Sequence, residues 1–240
     1  MKLNLIVSLL IAPAIVFANQ PTTKLELEQQ GFPVADGGIQ VKPLTNISKG
    51  ITAPRKNKIL IAHEAIKKNG FYEIDNPEVK TIFKLGNQKP LAIGSSDSKD
   101  THLKSSIKDV GLAFEFKGIP VNEKDVVGYA AIGGFDHGWN GVTQIFKDQD
   151  LGTCQYDLYN IKLSHGSEFI PQELVSYEVN GKATLIDVRG NANSGFMYNI
   201  HWADNTKVND LYCANMNFDK AKTQKLIELA KKIDKSVVIK

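Results

Sequence analysis

From Val110 onward apolar residues recur at every second position, and this change of period constrains the fold more than any other feature of the chain. Leu112, Phe114 and Phe116 alternate with Ala113, Glu115 and Lys117, which predicts a half-buried strand. Residues 125–133 are more evenly apolar, as in a strand covered on both faces. Across 153–163 the apolar set starts as Cys154, Tyr156 and Leu158, then changes parity to Tyr159, Ile161 and Leu163, which predicts a bulge near Leu158. Asn180-Gly181 lies between two apolar runs and predicts a type I′ hairpin, because both turn residues tolerate positive φ. Asp204-Asn205 predicts a second hairpin. A two-residue loop there sets Phe196 against Cys213 and Tyr198 against Leu211, with Ile200 on the same face. That register leaves Asn199, His201 and Asp210 on a solvated outer face, His201 and Asp210 one diagonal step apart.

The elements on either side of this β-rich stretch have helical period. Ile59, Ala62 and Ile66 share a face that Gly70 closes, and Asn76-Pro77-Glu78 supplies a cap, a first-turn proline and an early acid for a helix reaching Gly86. A third helix is expected around residues 99–109. Near the C-terminus, Leu226, Leu229, Ala230 and Ile233 form an apolar stripe beneath a lysine-rich face. The expected fold class is α+β: an antiparallel sheet of about six to eight strands, with N-terminal helices and a C-terminal amphipathic helix packed on it. Residues 1–18 read as a signal peptide and 19–56 as an extended N-terminal arm in which Ile39-Gln40-Val41 pairs at a sheet edge. Residues 57–240 read as a single α+β domain, helical over 57–109, with the sheet and last helix over 110–240.

The signal-peptide reading rests on Lys2, an apolar run over residues 5–16 interrupted by Ser8 and Pro13, and Val16-Phe17-Ala18 before polar Asn19 and Gln20. The run is shorter than the roughly 20 apolar residues of a membrane helix, so no stable membrane anchor is expected after cleavage behind Ala18. The protein is expected in the periplasm or outside the cell. In an oxidising compartment the two cysteines, Cys154 and Cys213, read as one disulfide. The formal net charge is +3, and arginine occurs only at positions 55 and 189. Nucleic-acid binding, which leans on basic fields and guanidinium forks, is therefore not expected. Arg189, within a strand pattern, reads as the partner of a nearby carboxylate.

Several signatures of chemistry fail. His63-Glu64-Ala65-Ile66-Lys67 opens like a zinc-protease helix but has Lys67 in place of the second imidazole. No phosphate-binding loop, dinucleotide fingerprint or nucleophile elbow occurs, and no cofactor or metal site is expected. Gly190-Asn191-Ala192-Asn193-Ser194-Gly195 reads as a connection between strands. The leading site candidate is residues 133–141, where Asp136, His137 and Trp139 sit among four glycines. A carboxylate, an imidazole and an indole on such a loop suit either ligand binding or acid/base work. His165, beside Ser164 and Ser167, is the second candidate. The resulting expectation is an exported binding or accessory protein of the bacterial envelope or extracellular space, its partner a small molecule or an envelope protein. The alternative is an exported hydrolase using Asp136 and His137 with His165 as its acid/base centre.

Overall fold

The computed structural model describes residues 38–44, 52–88, 103–164 and 166–239. The expected leader, most of the expected arm, the bulk of the expected third helix and His165 lie outside these residues. The first described elements are strand β1 (Gly38–Lys42), helix α1 (Ala53–Asn69), the short β2 (Tyr72–Glu73) and helix α2 (Glu78–Gly86). Strands β3 (Val126–Phe135), β4 (Trp139–Asp148) and β5 (Gly152–Asn160) follow, then a single helical turn α3 (Ile161–Ser164). β6 (Ser167–Pro171), β7 (Val175–Val179), β8 (Lys182–Asn191), β9 (Gly195–Ala203), β10 (Lys207–Asn215) and helix α4 (Lys220–Ser236) complete the chain. The main sheet has eight strands in the order β2-β8-β9-β10-β5-β4-β3, with β7 also pairing with β8. All its pairs are antiparallel except β2–β8, while β1 and β6 form a separate parallel ribbon. The fold is α+β with a mostly antiparallel sheet and a C-terminal helix.

Local chemistry explains the N-terminal helices. Proline opens α1, and Gly70 ends it with φ of 86°, its N–H donating to the Ile66 carbonyl. The helix starts at Ala53, a few residues before the sequence pattern becomes periodic. Asn76 Oδ1 accepts from the Glu78 N–H at 3.1 Å, so the expected cap forms. Gly86 is the last residue of α2, as expected, and a Cβ there would fall 2.5 Å from Thr153 Cγ2. The glycine lets the helix press onto β5.

One face of the sheet carries the main core. Cys154, Tyr156, Leu158, Val188, Tyr198, Ile200, Trp202, Leu211 and Cys213 pack there against Leu226, Ile227, Ala230 and Ile233 of α4. The predicted strand at 112–116 does not form. Residues 111–121 instead run irregularly over this core, burying Phe116 and Ile119. The period of two arises because an extended chain also points alternate side chains inward without a ladder. The third helix is likewise absent from its described part, where Lys104 bridges to Tyr129 and a single 3-10 turn spans Ile107–Val110.

Three expectations about the strands change. β3 lies at the sheet edge and is largely half-buried rather than covered on both faces. β5 keeps an unbroken register with both neighbours, so no bulge occurs at Leu158. The parity change there records the chain leaving the strand at Asn160 and winding into α3. The Asn180-Gly181 hairpin forms as expected, with φ of 50° and 82° and Val179 opposite Lys182. In the second hairpin Ala203 pairs with Val208, not Thr206, because Asp204 Oδ1 draws in the Thr206 and Lys207 N–H groups and widens the turn. Tyr198 therefore faces Cys213 and Ile200 faces Leu211. A shift of two residues preserves the face of every side chain, so the predicted core set survives.

Cys154 and Cys213 are directly opposite one another on β5 and β10, fully buried, with sulfurs 2.06 Å apart. The bridge ties neighbouring strands of one sheet rather than spanning the core. Thiol titration of the denatured, unreduced protein is expected to find no free thiol. The double substitution of both cysteines by alanine should lower stability by about 2 to 4 kcal/mol, read by chemical unfolding.

Candidate functional site

The predicted site residues stand at the tip of the β3–β4 hairpin. Asp136 and His137 form the turn, His137 with φ of 55°, and His137 Nδ1 lies 2.6 Å from Asp136 Oδ1. Their side chains are 91% and 96% exposed, so solvent reaches the pair from nearly every side. Trp139 is half-buried and meets the ring of Phe135 edge-on at 5.4 Å. Phe135, which sequence reasoning did not single out, is itself 67% exposed.

The loop's glycines serve the chain's own packing. The Asn140 side chain folds across Gly133, its Oδ1 accepting from the Gly134 N–H at 2.8 Å. At Gly138, φ is 144° and a Cβ would stand 2.6 Å from the Ala113 nitrogen. The segment approaching so closely is pinned by two bonds, Trp139 N–H to the Gly111 carbonyl and Ala113 N–H to the Trp139 carbonyl, both 2.9 Å. The hairpin tip is thus held rigidly at its base while Phe135, Asp136 and His137 project beyond it.

A second polar constellation lies on the sheet face opposite α4. Thr143, Asp157, Asp210 and His201 stand in one row across β4, β5, β10 and β9, each opposite the next. Sequence reasoning placed His201, Asp210 and Asn199 on a solvated face, and the structure corrects this. His201 is 0% exposed, Asp210 2% and Asn199 7%. His201 and Asp210 are also direct cross-strand partners rather than diagonal ones. Two covers exclude water. At one end Val79 and Ile82 of α2 pack on Met197 and Ala214. At the other, Ile161 of α3 and Ile170 of β6 pack on Ala203 and Val208.

Hydrogen bonding holds the row between these covers. Thr143 Oγ1 donates to Asp157 Oδ1 at 2.5 Å, and Gln155 Nε2 donates to the same carboxylate at 2.8 and 3.0 Å. His201 Nδ1 lies 3.0 Å from Asp210 Oδ1, while its Nε2 faces Glu168 of β6 at 3.6 Å. Burial pushes the Asp157 carboxyl up to about 7, against the opposing effect of Thr143 and Gln155, with the Asp210 charge adding to the rise. Burial likewise raises Glu168 to about 7, despite the neighbouring His201. Burial alone would lower His201, but the Asp210 charge and hydrogen bond, helped by Glu168, outweigh it and hold the imidazole above its ordinary value.

Arg189, expected to satisfy a carboxylate, does so: its guanidinium pairs with Asp187 two residues away on β8. Among the described residues no group of three or more His, Cys, Asp or Glu is arranged to hold a metal ion. Comparison of the chain with family models, with characterised proteins and with solved structures finds no match.

Proposed function

We propose that the chain is exported and acts as a binding or accessory protein of the bacterial envelope or extracellular space, with Asp136, His137 and Trp139 in its contact surface. The observation that carries this reading over hydrolysis is the near-complete exposure of the Asp136–His137 pair. Acid/base centres work through groups held in water-excluded sites, whereas a rigid tip bearing an exposed ring, an imidazole and a carboxylate suits surface recognition. Phe135 offers the apolar anchor and His137 the adaptable polar contact. The buried disulfide and the absence, among the described residues, of a helix long and apolar enough to cross a membrane are compatible with export.

The mass of the exported product is expected to correspond to a chain starting at Asn19. A photo-crosslinking residue in place of His137 should give an adduct of discrete mass in producing cells. The same residue in place of Glu228, exposed on the far side of α4, should not. Phe135→Ser should abolish the adduct while changing stability by no more than about 0.5 kcal/mol, since the ring is largely solvated. Identical adducts from both positions, or none from either, would contradict a binding role for the tip.

A further inference from the structure

The β1–β6 ribbon lies on the polar face of the main sheet without sharing a backbone ladder with it. The crossover from β5 to β7, residues 161–174, carries it there. A small set of contacts holds it down. Ile161 and Ile170, with Ile39 of β1, pack on Ala203 and Val208, and Phe169 and Leu174 pack with Leu44 and Ile59. The Ile39 N–H donates to Asn205 Oδ1 at 3.1 Å, and the Ile161 N–H to the Thr206 carbonyl at 3.0 Å. Glu168, two residues from Ile170, shares its side of β6. Its carboxyl is brought inside, to 12% exposure, and stands 3.6 Å from His201 Nε2, a nitrogen with no hydrogen-bond partner. At that distance the imidazole does not donate to it, and burying a carboxylate on such terms costs far more than burying a carboxylic acid.

The charges acting on Glu168 are those of His201 on β9 and Asp210 on β10, while β1 sets Ile39 opposite it. Asp210 and Glu168 act in turn on His201, and Asp157 of β5 lies beyond Asp210. The other charges of the strands and crossover are occupied elsewhere. Lys42 lies over the Phe169 ring, Lys162 is exposed, and the Glu173 carboxylate accepts from the Leu44 N–H.

We propose that the β1–β6 ribbon and its crossover form a strap whose closure over His201 and Asp210 is controlled by the proton on Glu168. Closed, the strap hides the Glu168 carboxyl from water. Lifted, it returns that carboxyl to solvent and uncovers the polar face. Burial holds the closed-state carboxyl up to about 7, against an ordinary 4.5 in water. Between those values the closed form binds more protons than the open one, so its hold weakens as pH rises. His201, held above its ordinary 6.5 in the closed form, acts in the same direction when it loses its proton. The apolar contacts of Ile39, Ile161 and Ile170 do not titrate and oppose opening at every pH.

Hydrogen exchange of the whole protein between pH 4 and 8.5, corrected for the intrinsic rate and read by mass spectrometry of peptides, tests the strap. Residues 161–174 are expected to exchange faster than β9 at every pH, because they open without global unfolding. Their corrected rate should be flat below pH 4.5 and rise about tenfold or more between pH 5.5 and 8. Glu168→Gln, nearly isosteric and uncharged, should remove most of that rise. Asp157→Asn, two strands away from the His201 that Glu168 meets, should keep it. Exchange of residues 161–174 in step with β9 would show that the strap opens only when the whole fold does, and would overturn the proposal. So would a corrected rate independent of pH, an undiminished rise in Glu168→Gln, or an equal loss of the rise in Asp157→Asn. The wild-type comparison with β9 and the onset of the rise decide the matter even if a variant fails to fold.

Discussion

The melting temperature is expected to fall by roughly 10 to 25 °C as pH rises from 4.5 to 8, the reverse of what paired surface carboxylates produce. The folded-state values of Asp157 and Glu168 stand near 7, against ordinary values of 3.8 and 4.5. Between those limits the folded protein binds more protons than the unfolded chain, so its stability declines as pH rises through the window. His201, held above its ordinary 6.5, acts in the same direction at the upper end of the range. Asp204, lowered to about 2 by Thr206 and Lys182 against the opposing effect of burial, works in the opposite sense. So does Asp234, lowered by Lys182, Asn180 and Trp202. Their stabilisation is present above pH 4 and is lost only as pH drops further. A maximum near pH 4 to 5 follows. Asp157 alone accounts for about 3 to 4 kcal/mol between the two ends, and a domain of this size loses about 2 to 4 °C per kcal/mol. Asp157→Asn should roughly halve the slope, leaving the share of Glu168, and raise the melting temperature at pH 8, because Thr143 can still donate to its oxygen and the Gln155 amide can turn to accept. A profile as steep as the wild type's would mean that another group carries the effect.

Asp234→Ala is expected to lower stability by about 3 to 5 kcal/mol. The carboxylate, near the end of α4, accepts from Lys182 Nζ at 2.5 Å, Trp202 Nε1 at 3.0 Å and Asn180 Nδ2 at 3.0 Å. Lys207 Nζ stands 3.9 Å away and is itself buried. One side chain thus ties the helix to the β7–β8 turn, to β9 and to the start of β10. Removing it leaves a buried ammonium short of its counter-charge and the indole N–H of a fully buried tryptophan without an acceptor. Lys182 retains Asp204 at 2.9 Å, which limits the loss on that side. Lys235→Ala, one residue away and exposed, should change stability by no more than about 0.5 kcal/mol. Equal effects from the two substitutions would show that the helix is held by its apolar face alone.

Much of the core face was legible in the sequence because strand periodicity and turn chemistry act locally. Asn180-Gly181 names its own turn type, and Tyr198, Ile200, Leu211 and Cys213 keep their face whichever of two turn lengths connects them. The opposite face was not legible. Its residues on β9 and β10 are Met197, Asn199, His201 and Ala203, with Val208, Asp210, Tyr212 and Ala214. Polar residues in the middle of each strand imitate a solvated surface, and the signal to the contrary was the apolar pair at each end. Those ends meet α2 and the β6–α3 region, which are distant in sequence, so no local pattern announces the cover. The extended run at 112–116 failed for a related reason. Alternation reports which side chains turn inward, whereas a strand also requires a partner for its backbone. The Asp136–His137 pair was found as a cluster, but its exposure depends on how far the β3–β4 hairpin projects, which only the three-dimensional fold determines.

Asp157, Asp210 and His201 form a row inside the protein, covered at one end by α2 and at the other by α3 and β6. Carboxyl-carbon NMR of aspartate-labelled protein, titrated from pH 3 to 9 with Asp157→Asn used for assignment, tests this burial most directly. One aspartate resonance is expected to titrate near pH 7 and to disappear in the variant. Titration of every aspartate below pH 5 would place Asp157 in solvent and contradict a buried row.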